Sequence, residues 1–305
     1  MSSQSAEQRE RNEAVLRAMG AQTPPQTPAM PYQATPQELW VPPANYVQPE
    51  SPDAIQEGNS TSPMAFWVLL DGIFGFVIAL ILQMGAMVAF IAAQGLTTPE
   101  QILSLQTNPT FTLIAAPTLG LGMALMAVMR VRVLRRLPWS WFNLHKRNLL
   151  AAIGWGALAG IIFLFTNAAS SALFSQLGST PDQAEQLTKP FKEASALQLG
   201  LLGLFVVFIG PFLEEIFFRG YAQRAFRQKW GVKWGIVLSA ALFALPHVFG
   251  ITTGYIGLLV PIFLGGLILG YIYQRTDNLW SAVVAHCINN AIGFLGLLAA
   301  LSLTK

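Results

Sequence analysis

From residue 63 to the end of the chain, long apolar runs alternate with short polar breaks. An α-helix needs about 20 consecutive apolar residues to cross the hydrocarbon of a bilayer. Seven runs have that character: 65–93, 111–129, 149–171, 196–220, 232–250, 255–274 and 279–302. Lipid offers no partner to a backbone N–H or C=O, so segments of this length satisfy their own hydrogen bonds as helices. The expected fold is all-α, a polytopic transmembrane helical bundle of about seven spans. Asp71 stands alone as an ionisable group in the first run, and residues 172–195 hold Pro181, Asp182, Lys189 and Pro190 and read as an exposed loop. The run from 196 to 229 is too long for one straight span, and Pro211 offers a kink.

Residues 1–62 follow a different pattern, rich in Pro, Gln and Thr. Proline removes backbone donors and disfavours helix at the preceding residue, and too few apolar side chains remain to offset the entropy of ordering. The expectation is a disordered N-terminal tail over 1–62, N-terminal transmembrane helices over 63–195, and a membrane core carrying the chemistry over 196–305.

Composition strengthens the membrane reading. Only 11% of residues are charged and 53% are hydrophobic, where a soluble domain carries about 25% charged residues. The net charge of +3 does not point to nucleic acid, because the basic residues gather in two short segments between apolar runs. One holds Arg130, Arg132, Arg135, Arg136, Lys146 and Arg147; the other holds Arg219, Arg224, Arg227, Lys229 and Lys233. The segments 94–110 and 251–254 hold none. Lys and Arg in short loops mark the cytoplasmic side, so the expectation is a multi-pass inner-membrane protein with its N-terminus in the cytoplasm. His145, in the first basic segment, reads as solvated, and the lone Cys287 reads as a packing residue. Gly156/Gly160 and Gly266/Gly270 have the spacing that lets membrane helices approach closely.

Ionisable groups at membrane depth are costly and are functional candidates by default. Outside the basic segments they form one constellation: Glu214, Glu215 and Arg219 in PFLEEIFFRG, His247 in FALPHVFG, and His286 with Asn290 in AHCINNA. Glu215 and Arg219 are four apart and can pair on one helix face. Glu214 is turned about 100° from Glu215 and has Phe218, not a cation, four residues on. If the chain reverses near Trp230–Gly231, Glu214 and His247 both lie about 25 Å along from the turn. Taken singly, Glu215–Arg219 is the pattern of a helix-stabilising pair, and His286–Asn290 that of an interhelical contact.

Together the segments EEIFFR (214–219), FALPH (243–247) and HCINN (286–290) resemble the EExxxR, FxxxH and HxxxN motifs of the CAAX-protease and bacteriocin-processing family, which includes the type II CAAX prenyl endopeptidases. The resemblance covers about 196–302. It implies an intramembrane endopeptidase acting on membrane-associated protein or peptide substrates in the lipid bilayer. Glu214 with His247 would activate water, His286 and Asn290 would donate hydrogen bonds to the oxyanion, and Glu215 with Arg219 would brace the site. No cofactor is expected. One alternative is a zinc-dependent version of the same protease with Glu214, His247 and His286 as ligands. Another is a non-catalytic transporter or immunity-type membrane protein.

The charge pattern fixes a topology that can be checked. Cysteines introduced at positions 140 and 230 should resist an impermeant thiol reagent applied outside intact cells. Ready labelling at either would overturn the orientation.

Overall fold

The computed structural model describes residues 64–176, 188–250 and 256–303, which are helical with no strand among them. The expected 1–62 tail lies outside the described residues. Six helices are long and apolar enough to cross a membrane. They are named here α1 (Met64–Gln94), α2 (Pro109–Leu134), α3 (Leu149–Gln176), α4 (Ala196–His247), α5 (Ile256–Thr276) and α6 (Leu279–Leu303). The runs 196–220 and 232–250, expected as separate spans, are the two limbs of α4, which extends over 52 residues. Gly231 interrupts it at φ 80° and ψ 174°, a conformation open to glycine at no steric cost because it lacks Cβ.

The limbs of α4 then run antiparallel. Ser239 Oγ donates to the Phe218 carbonyl at 2.8 Å, and a Cβ on Gly235 would lie 3.0 Å from Arg227 Cβ. The pairs 218/239 and 227/235 are centred close to position 230. This is the register the residue count required if Glu214 and His247 were to share a level.

Pro211 does not act through a simple kink. Residues Phe205–Ile209 and Ile216–Gln223 are π-helical and flank a short α turn, Gly210–Glu215. Proline has no N–H to continue the ladder. The Gly210 N–H turns to the Phe205 carbonyl, five residues back. The α-type partner of the Val206 carbonyl is thereby diverted, and its π-type partner would be residue 211, the proline.

Small residues set the helix seams. A Cβ on Gly122 of α2 would meet the Gly75 carbonyl of α1 at 2.3 Å, so these helices touch backbone to backbone. Both glycine pairs noted in the sequence lie at such contacts. Gly156 and Gly160 place α3 against Ser281, Ala285 and Ile288 of α6, and Gly266 faces Ala240 while Gly270 faces Gln223 and Ile236.

Four expectations are corrected. Asp71 is not solitary: it is fully buried and accepts from Arg130 Nε and Nη2 at 2.7 and 2.6 Å and from the Tyr221 hydroxyl at 2.5 Å. Its partners lie 59 and 150 residues away in sequence, beyond the reach of local spacing rules. The 130–148 segment is not merely a charged loop. Its first residues extend α2 to Leu134, and Trp141 and Phe142 are buried in the core. His145 is not simply solvated, because its Nε2 bonds the Asp277 carbonyl at 2.9 Å. The segment 172–195 is shorter than expected, since α3 continues to Gln176 and a capping box between Ser195 and Gln198 starts α4.

The basic segments meet at one end of the bundle. Arg224, buried, donates to the Trp141 carbonyl at 2.6 Å and to Asn143 Oδ1 at 3.0 Å, while Asn143 Nδ2 bonds Asp277 at 2.8 Å. Arg227 reaches Gln274 at 3.1 Å.

The Asp71 cluster joins α1, α2 and α4, and removing one member strands a buried charge. Asp71→Ala should lower stability by about 3 kcal/mol, read as thermal unfolding in detergent. Asp71→Leu combined with Arg130→Met should recover much of the loss. Wild-type stability of Asp71→Ala would show that the cluster holds nothing together.

Candidate active site

Glu214 and Glu215 close the short α turn that follows Pro211, and their environments diverge at once. The Glu215 side chain is fully buried, whereas that of Glu214 keeps 31% of its surface exposed. Arg219, one turn on and also fully buried, donates Nη1 to Glu215 Oε1 at 2.8 Å and Nη2 to the Gly266 carbonyl at 3.2 Å. The expected Glu215–Arg219 pair is therefore present. Arg219 Nε and Glu215 Oε2 are buried without a hydrogen bond. The Phe243 ring lies 4.6 Å from the guanidinium, where the negative face of the π-system attracts the cation.

His286 comes from α6 into the same place. Its Nδ1 is 2.9 Å from Glu215 Oε1, and its Nε2 is 3.8 Å from Glu214 Oε2. The two glutamates, turned apart on their own helix, thus flank one imidazole. Glu215 Oε1 already accepts from Arg219, so Nδ1 is the donor in this bond. A neutral His286 then presents the lone pair of Nε2 towards Glu214; a charged one presents a second N–H there.

His247, at the end of α4, bonds the Phe243 carbonyl through Nδ1 at 3.1 Å. A carbonyl can only accept, so Nδ1 carries the proton and Nε2 of the neutral ring is basic. Phe243 is the common floor: its ring centroid is 5.6 Å from those of both His247 and His286 and 5.1 Å from that of Phe218. A cavity of about 60 Å³ opens between Glu214, His247, Phe218, Phe243 and Pro246 on α4 and Leu119, Gly120 and Met123 on α2. It is large enough to admit water. The wall from α2 had no sign in the sequence, because Leu119, Gly120 and Met123 are ordinary residues of a membrane helix.

Asn290 lies one turn beyond His286. Its Nδ2 donates to the Val206 carbonyl at 2.9 Å, the group that Pro211 leaves without a helical partner. No hydrogen bond among the described residues joins Asn290 directly to Glu214, His247 or His286. Among the described residues, no three of His, Cys, Asp and Glu gather as a group able to hold a metal ion.

The family model for type II CAAX prenyl endopeptidase Rce1-like proteins matches residues 196–292, the stretch that holds all six of these polar residues. Residues 196–292 form an Rce1-like domain. No curated protein and no solved structure matches the chain. The Rce1-like domain spans α4, α5 and most of α6, and its family supports a membrane-embedded protease, a hydrolase of peptide substrates. Asp71 and Arg130, which hold Tyr221 of the domain, and the α2 wall of the cavity lie outside the matched residues, so helices beyond the domain complete its surroundings.

The unequal burial of the two glutamates gives a stability test. Glu215→Gln takes the counter-charge from a fully buried arginine and should cost about 3 kcal/mol. Glu214→Gln, on a partly exposed carboxylate, should leave the unfolding temperature within a degree or two. Equal destabilisation by both would contradict the division of roles.

Proposed function

We propose that the chain is an intramembrane endopeptidase in which Glu214, with His247, activates a water for attack on a peptide carbonyl. The observation that carries this reading is the shared cavity: Glu214, with its partly exposed carboxylate, and His247 line one space large enough to admit water.

In the proposed reaction, water donates a hydrogen bond to Glu214 and a second to His247 Nε2. Glu214 takes its proton as the oxygen attacks the carbonyl carbon, which is general-base catalysis. The tetrahedral oxyanion is stabilised by N–H groups of His286 and Asn290. For His286 this requires a proton on Nε2. The C–N bond then breaks and the leaving amine takes the proton from Glu214. Glu215 and Arg219 hold His286 and the helix in place without touching substrate. No metal enters any step.

The substrate is a peptide segment of a membrane-associated protein. The description of the matched family names prenyl endopeptidases, and a prenylated C-terminal tail is one member of that class. The inner membrane, with the basic end of the bundle in the cytoplasm, is the proposed location.

The test is cleavage of a library of membrane-associated peptides, prenylated tails included, by purified protein in detergent or lipid vesicles. Cleavage should persist undiminished after exhaustive treatment with a zinc chelator. Complete inhibition that zinc restores would overturn the metal-free mechanism, and failure to cleave any member would overturn the protease reading.

A further inference from the structure

A chain of three amides leads from outside the Rce1-like domain to Asn290. Asn167 on α3 donates Nδ2 to Asn289 Oδ1 at 2.7 Å, Asn289 donates Nδ2 to Asn290 Oδ1 at 3.1 Å, and Asn290 donates Nδ2 to the Val206 carbonyl at 2.9 Å. All three bonds run in one direction. The last acceptor can only accept, so it fixes the sense of the whole chain.

The seam between α3 and α6 makes this contact possible. Gly156, Gly160 and Asn167 are spaced by four and seven residues and lie on one face of α3. A Cβ on Gly156 would meet the Ser281 carbonyl at 2.5 Å, and one on Gly160 would meet Ile288 Cβ at 3.0 Å. With the backbones this close, two short asparagine side chains can meet directly.

An asparagine amide can be turned over by 180° with little change in shape, which exchanges a donor for an acceptor. Turned over, Asn290 would point its oxygen at the Val206 carbonyl, and Asn289 would point N–H at N–H. As arranged, Asn290 has its oxygen occupied, one N–H on Val206, and a second N–H with no partner among the described residues. That second N–H is what an oxyanion would need.

From this arrangement we infer that Asn167 and Asn289 are positioning residues that hold Asn290 with its free N–H available to the developing oxyanion. The inference rests on the proposed donor role of Asn290. It extends the working site to the third membrane helix, beyond the matched residues 196–292. Asn289 was visible in the sequence as the neighbour of a motif residue, and Asn167 as an isolated amide in an apolar run.

The experiment compares kcat and KM of the full chain carrying Asn289→Leu, Asn167→Leu or Asn290→Ala, on a peptide that the wild type cleaves. Leucine keeps the approximate volume and removes the donor. Loss of an oxyanion donor costs about 100- to 1000-fold in kcat, and Asn290→Ala should fall in that range. Asn289→Leu should lower kcat about 10- to 100-fold with KM within about twofold and an unchanged unfolding temperature, a smaller loss than removing the donor itself. Asn167→Leu should shift kcat in the same direction by less. If Asn289→Leu does not fold, Asn289→Asp keeps the shape without the ionised side chain donating, and the same fall in kcat is expected. Wild-type kcat in the Asn289 and Asn167 variants, with Asn290→Ala inactive, would overturn the positioning role alone. Wild-type kcat in Asn290→Ala would overturn the donor role and the inference with it.

Discussion

A carboxylate with no access to water, Glu215, is the constraint around which the site is organised. Its Oε1 accepts from Arg219 and from His286, and all three side chains are almost wholly buried. Ionised groups withdrawn from water are tolerated only in company, and taking one away leaves the others uncompensated. The bond also orients the ring: by accepting from His286 Nδ1 it leaves Nε2 turned towards Glu214. The exposed glutamate is left free of the arginine and shares a cavity with His247. Two adjacent residues of one type thus acquire different surroundings.

The backbone that presents them is irregular for a physical reason. Pro211 cannot continue the hydrogen-bond ladder, and π-helical turns appear on both sides of Gly210–Glu215. Such turns often mark functional stretches in helices. Here they release the Val206 carbonyl, and Asn290 satisfies it from another helix. An unsatisfied buried carbonyl would cost about 1–3 kcal/mol, so the contact stabilises the fold as well as fixing the amide. The same side chain can therefore seem structural or functional according to which of its hydrogens is considered.

The parts legible in the sequence were those set by local geometry. Apolar runs gave the spans, the i to i+4 rule gave Glu215–Arg219, and counting from Gly231 put Glu214 and His247 at one level, as the shared cavity shows. The parts that were not legible depend on the register of one helix against another. Nothing local tells that Asp71 would find Arg130 and Tyr221, that Glu215 would take His286 as a second partner, or that α2 would wall the cavity with Leu119, Gly120 and Met123. The small residues at the seams were visible, but a glycine pair indicates that helices can approach, not which helices do. Only the Rce1-like segment carried motifs, while several groups that support it come from helices before it.

The central claim is that Glu214, not Glu215, is the base. It is tested most directly by single-turnover cleavage with Glu214→Gln and Glu215→Gln, each normalised to folded protein. The account predicts that Glu214→Gln binds peptide and does not cleave it, because the amide keeps the shape and cannot take the proton, while Glu215→Gln retains measurable turnover per folded molecule. Full turnover by Glu214→Gln, with a folded but inactive Glu215→Gln, would contradict it.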